Sequence, residues 1–154
     1  NATCFEIHED ELYFGTTGYV AKAWVTNSDA GDDIIFDGLQ AFSPFGTPGN
    51  QKRFTMIRPT LFTNGSPAIQ GNVNVDYDTA APVASLTITP SNYAAWDTGV
   101  WDTALWGASL SVSRSWQGAN GVGYVAAPRI LGGVNGLELQ WVDTTVVFEG
   151  GAIL

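Results

Sequence analysis

The chain has 154 residues, enough for one domain or one domain with a fragment of another, and its single cysteine, Cys4, excludes an intrachain disulfide framework or a multi-thiolate metal site. Fifteen acids against six bases give a formal charge of −9, which excludes non-specific nucleic-acid binding and opposes docking on an anionic membrane. No apolar run approaches a membrane span, and the sole methionine, Met56, means that residue 1 is no initiator, so the chain reads as processed or excised.

Turn residues, β-branched residues and aromatics recur at short intervals, the pattern of an all-β chain. "CFEIHEDELYFG" predicts two strands joined by a tight turn at Glu9-Asp10, and "GYVAKAWV" a third, so the chain opens with a small meander. Eight of the fifteen acids lie in the first 37 residues beside one base, Lys22, which assigns this stretch to a different surface. After the acidic loop "TNSDAGDD", the run "IIFDGLQAFSPFG" is apolar on both faces and predicts buried strand. In "QKRFTMIRPTLF", Phe54 and Met56 are expected on one face and Arg53 and Thr55 on the other. "IQGNVNVDYD" and "VASLTITP" alternate in the same way, the second presenting Leu86 and Ile88. "SLSVSRSWQG", "GVGYVAAPRILGGV" and "LELQWVDTTVVFEGG" complete about seven strands after residue 33, with Gly118, Gly121 and Gly123 marking bulges or close backbone approaches. The expected result is an antiparallel β-sandwich over 33–154, preceded by the meander over 1–32.

Catalytic chemistry is not evident. His8 stands beside Glu6 and Glu9 as a turn residue, and Ser109, Ser111, Ser113 and Ser115 alternate like the solvent face of a strand, with no nucleophile elbow. "SDAGDD" is the best metal candidate but lacks the order of a calcium loop and reads as a solvated turn. "GANGVG" opens no helix, so it does not predict a phosphate cradle. Arg58 and Arg129, each beside a proline in an apolar strand, are expected to reach solvent or pair with a carboxylate. The residues imply neither cofactor nor metal.

Trp96, Trp101 and Trp106 are spaced five apart, a period that aligns them neither on one strand face nor on one helix stripe. They are expected in a bent loop, with Asp97 and Asp102 forming Asx-turns and the rings folded inward as a plug over a sheet end. A stacking platform for sugars is the competing reading. At residues 146–154, "VVFEGGAIL" closes on apolar Ile153 and Leu154 after a Gly150-Gly151 hinge, a candidate contact with an adjacent subunit or with the chain's own domain.

"ELYFGTTGYVAKA", "FGTPGNQKRFTMIRP", "SWQGANGVGYVAAPRI" and "VVFEGGAIL", in this order, resemble the C-terminal part of tail and neck proteins of tailed bacteriophages. The family meant is the propeller-bearing nozzle or head-to-tail stabilisation type. The resemblance implies a jelly-roll-like sandwich after a meander resembling a terminal propeller blade. It also implies a non-enzymatic virion protein, assembled in the host cytoplasm, that forms a homo-oligomeric ring with other tail or neck proteins around the DNA exit path. DNA would pass without specific binding, an acidic wall repelling the polyanion. The alternative is a carbohydrate- or receptor-binding β-sandwich module, in which glycan is the partner.

Overall fold

The structure, a computed structural model, describes residues 2–88, 99–102 and 110–151. Among these residues there is no helix, and ten strands form three antiparallel sheets that close into neither a barrel nor a propeller.

The N-terminal sheet is the expected meander: β1 (Cys4–His8), β2 (Glu11–Gly15) and β3 (Val20–Lys22), in that order. Glu9 and Asp10 both take left-handed φ, 51° and 62°, the pair of positive values that a type I′ turn needs to match the twist of its flanking strands. The loop that follows turns in the same way at Ala30 and Gly31, with Asp29 and Asp32 exchanging backbone hydrogen bonds across it.

Seven further strands follow: β4 (Ile34–Leu39), β5 (Lys52–Thr63), β6 (Ala68–Val75), β7 (Ser111–Ser113), β8 (Gln117–Gly123), β9 (Ala126–Val134) and β10 (Leu139–Gly150). The number agrees with expectation, but the elements do not all correspond. "SLSVSRSWQG" divides into β7 and the start of β8, and the described part of "VASLTITP", 83–88, forms no strand, only a bridge between Ser85 and Gln70. One sheet is ordered β4-β9-β6. In the other, β5 is flanked by β10 on one side and by β7 and β8 end to end on the other. Pro59 falls between the stretches of β5 that pair with β8 and β7, where a missing N–H is tolerated.

One core joins these two sheets. Phe54, Ile57 and Leu61 of β5 meet Ile69 and Val73 of β6 and Ala126 and Ile130 of β9, with Leu86 packed beside them. Phe45, Phe54 and Phe148 form an aromatic triangle with centroids 5.7–5.9 Å apart at one end. At the other, Trp141 packs against Gly38 of β4, where an added Cβ would lie 3.0 Å from the indole.

Two bulges set which side chains enter the core. In the β5–β10 ladder Val147 pairs with Met56 and Phe148 with Phe54, so Thr55 has no partner there. The alternation on β5 therefore changes phase: Phe54 is buried with Ile57 and Leu61, while Met56 is exposed, not on the face of Phe54 as expected. Val142 is likewise skipped on β10, which turns Trp141 and then Val146 and Phe148 all toward the core.

Several other expectations are corrected. Ile34 and Ile35 are exposed, because β4 is an edge strand whose first residues leave the core. Ser111 and Ser113 are buried while Val112 faces outward, the reverse of a solvent-facing serine ladder. Their inward position is sustained by hydrogen bonding, since Ser111 Oγ donates to the Thr63 carbonyl at 3.0 Å and Thr63 Oγ1 bonds the Gly65 backbone in turn. The Gly150-Gly151 pair is no hinge: Gly150 pairs with Lys52, and Gly151 N–H donates to the Gln51 carbonyl at 2.7 Å.

Candidate functional site

The meander has two unlike faces. Its register places Phe5 opposite Phe14, Ile7 opposite Leu12, and Ala21 beside Phe14, so one face is wholly apolar. The other carries Glu6, His8, Glu11, Tyr13 and Lys22, with Lys22 Nζ 3.0 Å from Glu11. An alternating sequence forms such a sheet to cover a core, yet Phe5 and Ile7 are 66% and 69% exposed.

The apolar face continues into a groove of about 690 Å³, lined by Phe14 and Ala21, by Tyr19 and Trp24, and by Ile34 and Ile35 at the start of β4. Trp24 is 88% exposed and holds φ at +55°, a left-handed conformation that is a genuine outlier for a bulky residue. Asp29 and Asp33 also line the groove, and among the described residues neither takes part in an ion pair. The loop bearing them is fastened to the turn before β10: Asn135 Nδ2 donates to the Gly31 carbonyl at 2.7 Å and Gly136 N–H to that of Asn27 at 2.8 Å. The acidic rim is thus tied to the main body of the fold. Among the described residues no group of three or more His, Cys, Asp or Glu is arranged to hold a metal ion.

Elsewhere, charged side chains are absorbed by structure. Lys52 is fully buried on the inner face of β5, its ammonium donating to the carbonyls of Thr47 at 2.7 Å, Asn50 at 2.9 Å and Tyr124 at 3.4 Å. Arg129 meets the expectation of a carboxylate partner: Nε and Nη2 form a fork on Asp37, at 2.8 and 2.5 Å, and Nη1 also donates to the Thr79 carbonyl. This pairing lowers the Asp37 pKa, chiefly through the hydrogen bond from Arg129, against partial desolvation and with the guanidinium charge assisting. Arg58 does otherwise. Its guanidinium lies 4.6 Å over the Trp116 ring, and its buried Nε has no hydrogen-bond partner.

Of the residues singled out from sequence, Trp101 is described and is 70% exposed, with Asp102 in a left-handed conformation. Trp96, Trp106, Asp97, Ile153 and Leu154 lie outside the described residues. His8 is exposed, 4.0 Å from Glu9. Sequence reading missed the groove. Its signals in the sequence are the alternation of Phe5, Ile7, Leu12 and Phe14 and the excess of acids, which only the fold brings together.

Comparison with protein-family models, with curated proteins and with solved structures finds no match.

Proposed function

We infer that the chain is a non-enzymatic structural component of a bacteriophage tail or neck, acting by assembly into a ring around the DNA exit path. The observation that carries this reading is the exposed apolar face of the meander, Phe5, Ile7, Leu12 and Phe14, a surface open to a neighbouring tail or neck protein while the copies meet one another elsewhere. The resemblance of the sequence pieces to phage tail and neck proteins supplies the setting. In this reading the sheets of β5 and β9 form a jelly-roll-like β-sandwich over 33–154, and the meander of 1–32 is a terminal propeller blade. Ile153 and Leu154 supply a head-to-tail contact between subunits, and the acids of the first 37 residues repel DNA passing along the wall.

Sedimentation velocity and negative-stain microscopy of the purified chain test the ring. Closed cyclic species that weaken when residues 152–154 are deleted support it, and a monomer at every accessible concentration refutes it. The alternative, a carbohydrate- or receptor-binding module, draws on the exposure of Trp101. Fluorescence quenching by glycans that Trp101→Ala abolishes would favour that alternative.

A further inference from the structure

We propose that the apolar meander face and the adjoining groove form a docking site for a segment of a different protein that combines apolar side chains with lysine or arginine. The inference rests on the assembly reading only in that both require a protein to cover this surface.

Size and continuity support a macromolecular occupant. Phe5 and Ile7 join Phe14, whose ring lies 6.4 Å from that of Phe5, and Phe14 joins the groove of Tyr19, Trp24 and Ile35. The exposed parts of these side chains amount to about 700 Å², close to one partner's share of a standard interface and larger than the patches most monomers leave open. Trp24 has the marks of an anchor, a large exposed ring held out on a strained backbone.

Charge decides the partner. Residues 1–37 hold eight acids and one base. Glu6 and Glu11 lie on the polar face of the meander and Asp37 is forked to Arg129, whereas Asp29 and Asp33 are the acids that line the groove, where the base also lies. That base, Lys22, is bridged to Glu11, whereas Asp29 and Asp33 at the groove are unpaired among the described residues. A second copy has little to answer them with. Its Lys22 and Arg129 are in ion pairs, its Lys52 is buried, and its Arg58 is stacked on Trp116. Only Arg53 and Arg114 remain exposed and uncommitted among the described residues, against the same excess of acids. Self-association through this face would bring like charges together, so the complementary partner is basic and of another sequence.

Fluorescence anisotropy with labelled synthetic decapeptides tests the site. A peptide alternating lysine and leucine is expected to bind, one alternating lysine and serine to bind roughly tenfold more weakly, and one alternating glutamate and leucine not to bind. Trp24→Ser and the double variant Asp29→Asn/Asp33→Asn should each weaken the first peptide roughly tenfold. Asp143→Asn/Glu149→Gln, with the same change in net charge on β10, should leave it unchanged. An unchanged melting curve for Trp24→Ser confirms the fold. Equal weakening by the β10 pair, or equal binding of the serine peptide, would reduce the effect to bulk charge and overturn the proposal. So would self-association that Trp24→Ser abolishes, or quenching by cellohexaose that the same variant abolishes. Ring formation is measured on the same variants: peptide binding without rings would sink the ring and leave this site standing, and rings without peptide binding the reverse.

Discussion

Gly71→Ala should destabilise the fold by about 1.5 kcal/mol, although it adds one methyl group to a strand. A Cβ at Gly71 would stand 2.7 Å from Leu86 Cδ1, 3.0 Å from Cγ and 3.1 Å from Cδ2. Leu86 cannot withdraw easily, because its own N–H donates to the Ile69 carbonyl at 2.9 Å and Gly71 N–H donates to that of Ala84 at 3.0 Å. The segment is clamped to the edge of β6 on both sides of the clash. Relief therefore requires turning the Leu86 side chain out of the core, which forfeits about 2 kcal/mol of apolar burial. The smaller backbone freedom of alanine returns roughly 0.5 kcal/mol or more.

Urea unfolding of a double-mutant cycle isolates this contact. Leu86→Ala alone should cost about 2–3 kcal/mol, and Gly71→Ala/Leu86→Ala no more than that, a coupling of about 2 kcal/mol between the two sites. Gly118→Ala is the control, since nothing lies within 4 Å of the Cβ it would carry. If Gly71→Ala is as stable as Gly118→Ala, or if the two losses simply add, Leu86 does not fill the space over Gly71 and the packing of that edge is wrong.

Lys52→Met keeps the buried stem but leaves the Thr47, Asn50 and Tyr124 carbonyls without their shared donor, and should cost about 3 kcal/mol in urea unfolding. Wild-type stability would place those carbonyls in water. Because Arg129 lowers the Asp37 pKa, the pair stabilises the fold fully above the ordinary carboxylate value of about 4, and the contribution is lost as pH falls through the lower folded value. The stability gap between wild type and Asp37→Asn should thus be flat from about pH 5 to 8 and close in acid, whereas a gap unchanged down to about pH 2 would remove the pairing. Arg58→Met should be close to neutral in thermal unfolding, because removing a buried Nε without a partner offsets the lost cation–π contact, while Trp116→Ala loses that contact with no such relief and should cost about 1 kcal/mol. A large loss for Arg58→Met would mean that its Nε is hydrogen-bonded.

The parts legible in the sequence are those that local chemistry decides. Glu9-Asp10 sits between two alternating runs, and a two-residue connection of that kind leaves few choices but a hairpin. Two of the three glycines of β8 were similarly readable: Gly121 admits Val75, and Gly123 admits the Asp76 carboxylate that accepts the Tyr124 and Val125 N–H groups, whereas Gly118 meets nothing. What the sequence concealed is phase. Alternation tells which residues share a face only until a bulge intervenes, and Thr55 and Val142 are ordinary strand residues that announce none. Their effects are matched. The skip at Thr55 keeps Phe54 inward against Phe148, and the skip at Val142 brings Phe148 inward while leaving Trp141 there, so neither strand's pattern is interpretable without the other's. The groove was hidden for a related reason, since Phe14 and Ile35 are distant in sequence and meet beside a loop that is fastened to Asn135, a contact between residues about a hundred positions apart. The serines of β7 point the same way. Small hydroxyl residues at alternate positions read as a solvent face unless an acceptor such as the Thr63 carbonyl waits inside, and which residue waits inside is fixed by the partner strand.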